Sequence, residues 1–198
     1  MKQSVARALD SLLTAPRFGP LAHRVYDLVT RMATDRPQIR NTGILGPKLM
    51  RGAQPTPRGF EALQADGVAT VVNLRPESDW EEPVVRNCGM AYHKLAVSVM
   101  GSPTVEQALE FLAVVSAPAT GLCFVHCFHG SDRTGAMCAV YRIAADGWSV
   151  ADALAEMHAF GFHDGYQDTK LRFVHDFAAY WEDLPASERT AILGACIP

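Results

Sequence analysis

The sequence predicts an α/β protein with a central, mostly parallel sheet flanked by helices. Short apolar, β-branched runs alternate with longer segments that have the apolar spacing of a helix. One such run, "LCFVH" at 122–126, leads directly into the glycine-punctuated segment "HCFHGSDRTG" and then into a helical pattern. The 198-residue chain is 48% hydrophobic and 20% charged, which suits one globular domain with a sizeable core and a short extension.

The predicted elements follow one another along residues 40–185, which we assign to that domain. The predicted strands are 48–52, 68–74, 91–97 and 122–126. The predicted helices are 57–65, 105–116, 136–146, 149–161 and 169–181. Thr104 and Gln107 have the spacing of a capping box, and Gly147 and Gly161 follow helical patterns as stop signals. This order resembles the alternation of a sheet with helices on its faces.

Residues 1–39 are predicted to form a helical N-terminal extension and linker, and residues 186–198 a C-terminal tail. Apolar spacing indicates helices within 5–13 and 21–32. The first 36 residues carry six basic and three acidic side chains, although the whole chain has a net charge of −3. Such a segment could contact an anionic membrane surface peripherally, but we favour a helical extension docked on the domain and expect no nucleic acid partner.

The remaining bulk features indicate a cytoplasmic protein. No apolar run approaches the roughly 18 residues of a membrane span, and Arg7 and Asp10 interrupt any signal-peptide core. Five cysteines without CxxC spacing argue against a disulfide framework or a structural zinc site. They indicate a reducing compartment.

The segment "HCFHGSDRTG" has the composition of an anion-binding loop with a nucleophile at its base. It lies between a predicted strand and helix, where the helix N-terminus attracts anions. Gly130 and Gly135 are expected to let the backbone turn, so that the amides of residues 128–132 converge on one point. Arg133 offers a planar fork for two phosphate oxygens. This positive surrounding is expected to lower the pKa of Cys127 and produce a thiolate nucleophile.

The pattern Cys127-x5-Arg133-Thr134, with His126 before it, resembles the signature of cysteine-dependent tyrosine and dual-specificity phosphatases. "MRGAQPTPRGFEAL" and "VVNLRPE" are similar to the small bacterial and plant-and-fungal atypical members. The resemblance covers about residues 49–182. It implies that the loop residues Phe128, His129, Gly130, Ser131 and Asp132 bind phosphate with Arg133, that Thr134 helps the thiolate leave, and that His126 supports the loop. It implies no cofactor and no metal.

Such phosphatases usually have an aspartate upstream of the cysteine that serves as the general acid. The corresponding stretch "KLAVSVMGSPT" (94–104) contains no Asp or Glu. The loop itself carries Asp132, as do myotubularins and Sac-domain phosphoinositide phosphatases, which the "DRT" ending resembles. Asp132 is therefore either a general acid or a structural residue that caps the helix or pairs with Arg133.

Two other chemistries of the same loop are less consistent with its sequence. Four potential ligands within seven residues (His126, Cys127, His129 and Asp132) cannot easily surround a metal ion, and Arg133 would repel it. A redox role of Cys127 would need a resolving partner, and Cys88 and Cys138 are more simply core residues. Cys123 lies too far up the same strand.

Several further residues have two interpretations each. Arg75 could reach substrate phosphate or pair with Glu77 or Glu81. The segment containing His163, Tyr166 and Gln167 could border the site or be an ordinary connection. His93 and Lys94 are weak candidates for substrate contacts, and Trp80, Trp148 and Trp181 are interpreted as packing residues.

We therefore expect a phosphatase that acts through a phosphocysteine intermediate, on phosphoproteins or on inositol phosphates and phosphoinositides. His129 could add positive charge for a multiply phosphorylated ring. The alternative is a phosphate-binding pseudophosphatase or scaffold with little turnover. Nucleoside triphosphate hydrolysis is a weaker alternative, since no GxxxxGK[ST] segment occurs.

Overall fold

A computed structural model describes residues 39–165 and 168–194 of the chain. Its strands are β1 (Gly43–Ile44), β2 (Leu49–Gly52), β3 (Val68–Asn73), β4 (Ala91–Lys94) and β5 (Leu122–His126). Its α-helices are α1 (Pro57–Ala65), α2 (Glu82–Asn87), α3 (Val105–Ser116), α4 (Asp132–Ala144), α5 (Val150–Ala159), α6 (Asp168–Asp183) and α7 (Ala186–Ile192). The helices predicted within 5–13 and 21–32 lie outside the described residues.

The strands form one sheet in the order β1-β2-β5-β3-β4. The β2–β5, β5–β3 and β3–β4 pairs are parallel, and β1 pairs with β2 in the antiparallel direction. The predicted α/β class with a mostly parallel sheet is therefore confirmed. Since β5 lies between β2 and β3, the loop that follows His126 emerges between the ends of two neighbouring strands. In parallel sheets with helices on both faces, ligands bind at this edge.

Alternate residues of the central strands face two different cores, as the period of a strand requires. Val71 and Phe124 pack with helices α1 and α2 on one face of the sheet. Val72 and Val125 pack with helices α3 to α6 on the other face, in the larger core. Burial on both faces explains why β3 and β5 are continuous apolar runs in the sequence.

The structure corrects several predicted boundaries. Helix α4 begins at Asp132, four residues before the predicted start, so the end of the signature is already helical. Gly135 is inside this helix, where its N–H donates to the Ser131 carbonyl at 2.6 Å, and the tight turn predicted for it is wrong. Strand β4 ends at Lys94 rather than at residue 97. Strand β1 and helices α2 and α7 were not predicted, because elements of two to seven residues show too little periodicity.

Helix α7 lies within the stretch that the sequence suggests is a tail. Ile192 and the adjacent Leu193 pack against the larger core, so the described part of that stretch is attached to the domain. Among the helices of residues 39–165 and 168–194, none combines the length and hydropathy needed to span a membrane.

The capping box predicted for Thr104 and Gln107 is present at the N-terminus of α3. The Thr104 hydroxyl accepts from the Gln107 N–H at 3.2 Å, and the Thr104 N–H donates to the Gln107 side chain at 3.0 Å. Thr104→Ala is expected to lower the free energy of unfolding by about 1 kcal/mol, measured by urea denaturation. Thr190→Ala, which removes an exposed hydroxyl inside α7, is the control and is expected to change stability by less than about 0.5 kcal/mol. Equal effects of the two substitutions would contradict a capping role.

Candidate active site

The loop after β5 is held by donors that bind its carbonyl groups from outside. The carbonyl of Cys127 accepts from the His126 Nδ1 at 3.1 Å, and that of Phe128 from the Gln54 N–H at 3.2 Å. The carbonyl of His129 accepts from the Asn41 amide at 3.3 Å. The carbonyl of Gly130 accepts from Arg51 Nη2 at 2.5 Å. With successive carbonyls turned outward, the amides of this loop are directed toward its interior, which forms an anion nest.

Cys127 lies at the base of the nest and is 3% exposed. Burial alone would raise the pKa of its thiol, but the charge of Arg133 and hydrogen bonds from Thr134 and the Gly130 amide outweigh burial and lower it. The Gly130 N–H lies 3.3 Å from the Cys127 Sγ. The sequence prediction of a thiolate in a positive bowl is consistent with this geometry.

His126 is positioned between two hydrogen-bond acceptors, both of them buried. Its Nδ1 faces the Cys127 carbonyl at 3.1 Å, and its Nε2 faces Glu81 Oε1 at 3.0 Å. The Cys127 carbonyl and the Glu81 carboxylate therefore fix the orientation of the imidazole ring from both of its nitrogen atoms. His126 and Glu81 side chains are both 0% exposed. The support role predicted for His126 thus has a specific partner.

Arg133 is oriented by Glu77 rather than by its neighbour Asp132. The two terminal nitrogens of Arg133 donate to the two carboxylate oxygens of Glu77 at 3.0 and 3.1 Å. The buried Arg75 donates to the same carboxylate at 2.9 Å. Burial raises the pKa of Glu77, but the charges and hydrogen bonds of Arg133 and Arg75 outweigh it and lower the pKa to about 2. Glu77 contacts the Nη1 and Nη2 atoms of Arg133, so the Nε atom is not used in this ion pair.

Gln54 connects the contacts of Arg75 with the contact between Glu81 and His126. Its side-chain carbonyl accepts from Arg75 Nη1 at 2.6 Å, and its amide donates to Glu81. The chain of contacts therefore runs from Arg133 through Glu77, Arg75, Gln54 and Glu81 to His126, which is adjacent to Cys127. The first and last residues of the signature are therefore connected through a chain of polar side chains, of which Gln54, Arg75 and Glu81 are buried.

Asp132 is held by the segment that follows α5. Its Oδ1 accepts from the His163 backbone N–H at 3.0 Å, and both carboxylate oxygens lie 3.1 Å from His163 Nδ1. Helix α4 has no side-chain cap hydrogen bond at its N-terminus. Among the described contacts, the hydrogen bonds of Asp132 go to His163, and none of them caps α4 or reaches Arg133. Asp132 lies in the first turn of α4, where a carboxylate interacts favourably with the helix dipole.

Lys170 borders the same region from α6 and is fully buried. Its Nζ donates to the carbonyls of Val99 and Gly101 at 2.9 and 2.7 Å, within the loop where the usual general acid is missing. Burial lowers its pKa to about 8, with opposing contributions from the charges of Asp132 and Cys127. Lys170 thus holds the 95–104 loop by hydrogen bonds and places a positive charge near Asp132 and Cys127.

The side chains of Phe128, His129 and Ser131 have different surroundings within the loop. Phe128 is buried with the Arg75 guanidinium 5.0 Å from its ring, so only its backbone faces the nest. The His129 ring lies edge-on against Phe128, with 4.6 Å between ring centroids. Ser131 is 3% exposed, and its hydroxyl has no hydrogen-bond partner among the described residues, which leaves it as a donor for a bound anion.

Among the residues with two interpretations, Arg75 pairs with Glu77 at 2.9 Å and is too buried to meet substrate. His163 borders the loop through Asp132, whereas Tyr166 and Gln167 lie outside the described residues. His93 pairs with the exposed Glu110, and Lys94 with Asp79, on the edge strand β4.

The tryptophans and cysteines behave as packing residues. Trp80 and Trp181 pack against Phe60 and Phe177, and Trp148 lies under the Arg142 guanidinium. The described cysteines other than Cys127 are free thiols: Cys88, Cys123 and Cys138. Burial raises the pKa of Cys123 to about 12 and that of Cys138 to about 11, which makes them poor redox partners. Within residues 39–165 and 168–194, no cluster of three His, Cys, Asp or Glu side chains is arranged to hold a metal ion.

Sequence reasoning missed four residues that support the site from outside the loop: Asn41, Arg51, Gln54 and Lys170. Each acts through a contact between residues distant in the sequence. It identified Glu77 and Glu81 only as possible partners of Arg75. The segment "NLRPE" could have indicated the contact of Glu77 with Arg133. Glu77 follows the end of β3, and the loop that carries Arg133 follows the neighbouring strand β5.

Comparison with known proteins identifies the family. The model of the family described as "DSP-PTPase phosphatase fused to NAD+ Kinase" matches residues 25–176. The chain therefore belongs to this family of dual-specificity-type phosphatase domains. The match includes the signature loop and begins within the N-terminal extension predicted from the sequence.

The chain is also similar to individual proteins. It is 33% identical over 129 residues to the dual specificity protein phosphatase TpbA of Pseudomonas aeruginosa, a match that covers 61% of this chain and 54% of TpbA. The chain thus spans about half the length of this curated relative. The crystal structure of P. aeruginosa TpbA has a TM-score of 0.62 and 28% identity, covering 75% of this chain and 94% of that one. The core catalytic domain of the PP-IP phosphatase SIW14 from S. cerevisiae has the same TM-score at 17% identity, covering 70% and 86%, and shares the fold.

Gly130 has a positive φ of +75°, and a Cβ there would lie 2.5 Å from the backbone of Gly52. Gly130→Ala is therefore expected to distort the nest and to lower phosphate-monoester hydrolysis by about 10²-fold or more. Gly135→Ala is the matched control, because its Cβ would meet Met157 at an ordinary 3.4 Å. It is expected to retain activity. Comparable activity of the two variants would contradict the placement of Gly130.

Glu77 links stability to pH in a predictable direction. Its pKa is about 2 in the folded protein, below the value of about 4.3 expected in the unfolded chain. Its contribution to stability is thus present above about pH 4.3 and is lost as the pH falls through about 2. In urea denaturation, wild type should exceed Glu77→Gln in unfolding free energy near neutral pH, with a difference that shrinks below about pH 4.3. The exposed Glu188→Gln variant should show no such pH-dependent difference, and a constant difference for Glu77→Gln would contradict the pairing.

Proposed function

We propose that the protein is a cysteine-dependent phosphatase that hydrolyses phosphate monoesters through a phosphocysteine intermediate. The observation that carries this proposal is the placement of Cys127, with a lowered thiol pKa, at the base of a loop whose carbonyls face outward. A thiolate beneath converging amides is suited to attack phosphorus while the negative charge of the transferring group is bound.

The reaction follows from the positions of the loop residues. Phosphate oxygens bind the amides of residues 128–132 and the Nε edge of Arg133, and the Cys127 Sγ attacks phosphorus as the bond to the leaving oxygen breaks. Asp132, the carboxyl group of the loop, takes part in supplying a proton to that oxygen. Water then hydrolyses the thiophosphate bond, and the Thr134 hydroxyl stabilises the departing thiolate. These steps need neither a cofactor nor a metal.

The substrates we propose are phosphotyrosine or phosphoserine proteins, or inositol phosphates and phosphoinositides. A solved structure of TpbA holds pTyr and is 27% identical to this chain, which favours phosphoprotein. The "DRT" ending of the loop and the positive charges of Arg51 and Arg133 near it favour a multiply phosphorylated ligand. The free thiols of the described residues favour a cytoplasmic location. We also propose that the basic N-terminal segment can contact a membrane surface peripherally.

A second candidate function is phosphate binding without turnover. The observation that favours it is the lack of any carboxylate in residues 94–104, where related phosphatases carry their general acid. The two functions differ in product formation and not in binding.

The deciding experiment measures phosphate release from a phosphotyrosine peptide and from inositol hexakisphosphate by wild type, Cys127→Ser and Cys123→Ala. Cys123→Ala controls for loss of a buried thiol and is expected to stay active. Cys127→Ser should abolish release from both substrates while still binding phosphate, since the nest is unchanged. Release by Cys127→Ser would exclude the thiolate mechanism. A wild type that binds phosphate but releases none would establish the second candidate function.

A further inference from the structure

The groups that border the loop differ in their ability to give a proton to a leaving oxygen. Glu77 is held as the anion by two arginines, with a pKa of about 2. Lys170 is fully buried, and its ammonium group is already hydrogen-bonded to two carbonyls. The hydroxyls of Ser131 and Thr134 are weak acids. Among the described residues at this edge of the sheet, His126 has both ring nitrogens on buried partners, and the Nε2 atom of His129 is buried, with the ring edge-on to Phe128. The other acid–base groups there are Asp132 and His163.

Asp132 is arranged as a hydrogen-bond acceptor for His163. Its Oδ1 accepts the His163 N–H, and both of its oxygens lie 3.1 Å from His163 Nδ1. The Asp132 side chain is only 16% exposed, which limits its access to a substrate above the loop.

His163 has the complementary properties. Its side chain is 52% exposed, and its Nδ1 is fixed by Asp132. A carboxylate that accepts from Nδ1–H sets the tautomer and the ring orientation and leaves Nε2 as the group that can exchange a proton. His163 therefore lies beside the phosphate-binding loop, in contact with Asp132. Thr169, near the start of α6, donates to the carbonyl of Met100 at 3.5 Å, in the loop that Lys170 also contacts.

We infer that His163 is the general acid of the proposed phosphatase and that Asp132 is a positioning residue that acts through it. This inference rests on the proposed function. As the Cys127 Sγ–phosphorus bond forms and the bond from phosphorus to the leaving oxygen breaks, the His163 imidazolium gives its Nε2 proton to that oxygen. The neutral ring then takes a proton from the attacking water, the sulfur–phosphorus bond breaks, and the imidazolium and the Cys127 thiolate are restored.

This assignment accounts for the missing acid in residues 94–104. The proton donor is supplied by the segment after α5 instead of the loop after β4, and the loop aspartate serves to orient it. Asp132 is therefore needed for proton transfer without being the group that touches the substrate.

The test compares phenyl phosphate with p-nitrophenyl phosphate, which differ in the basicity of the leaving oxygen. A poor leaving group depends on the general acid, whereas p-nitrophenolate leaves without protonation. His163→Gln is expected to lower kcat/KM for phenyl phosphate by about 10²-fold and for p-nitrophenyl phosphate far less. Asp132→Asn should show the same selective loss, and the double variant should be no worse than His163→Gln alone.

The chain offers a matched control in the pair His158–Asp164, which is also exposed and joined at 2.8 Å but has no described contact with the loop. His158→Gln should leave both substrates unaffected. Thermal unfolding of each variant checks that the exposed substitutions preserve the fold. An equal loss of both substrates in His163→Gln, or no loss, would overturn the assignment. A wild type inactive on both substrates, or an active Cys127→Ser, would instead overturn the proposed function itself.

Discussion

The arrangement of the site depends on one constraint, which is that the carbonyls of residues 127–130 all point away from the loop interior. Four donors from four parts of the chain enforce this: His126, Gln54, Asn41 and Arg51. A peptide group has its N–H opposite its carbonyl, so fixing the carbonyls outside fixes the amides inside. The anion nest is thus made by the surroundings of the loop as much as by the loop's own glycine.

Burying so many charged groups is costly unless they are mutually satisfied. Glu81 contacts His126 and the Gln54 amide, and Glu77 pairs with Arg75 and Arg133, so each carboxylate has hydrogen-bonding partners. Arg51 differs, since it is 0% exposed and has no carboxylate partner among the described residues. It donates to the Gly130 carbonyl, and its guanidinium lies 3.9 Å from the Phe160 ring centroid. Its uncompensated charge adds to the positive potential that a bound phosphate neutralises.

How far the sequence could predict this structure depended on the range of the interactions involved. The strand 122–126, helix 57–65 and the Thr104 capping box follow from local spacing, and the structure confirms them. The role of Cys127 and the anion nest followed from a signature contained within ten residues. The partners of Arg133 and Asp132 did not, because Glu77 and His163 lie 56 and 31 residues away. Local reasoning paired both with nearest neighbours, whereas tertiary contacts decide.

The same distinction explains the error at Gly135. A glycine near the end of a signature was taken as a turn residue, although the helix had already begun at Asp132 and requires no unusual φ there. Gly130 is different, because the backbone of β2's end passes so close that no side chain fits. Gly130 is needed for its positive φ and for the close approach of Gly52. Gly135 has a helical conformation and lies beside Met157.

The surroundings of the loop lower the pKa of the Cys127 thiol and so favour the thiolate. The most direct test is the pH dependence of alkylation of each cysteine in the folded protein. Iodoacetamide labelling followed by peptide mass analysis resolves Cys127 from Cys123 and Cys138, whose thiol pKa values are about 12 and about 11. Among the cysteines of the described residues, only Cys127 is expected to react with a midpoint clearly below the ordinary thiol value of about 8.5. A Cys127 midpoint at or above that value would contradict it.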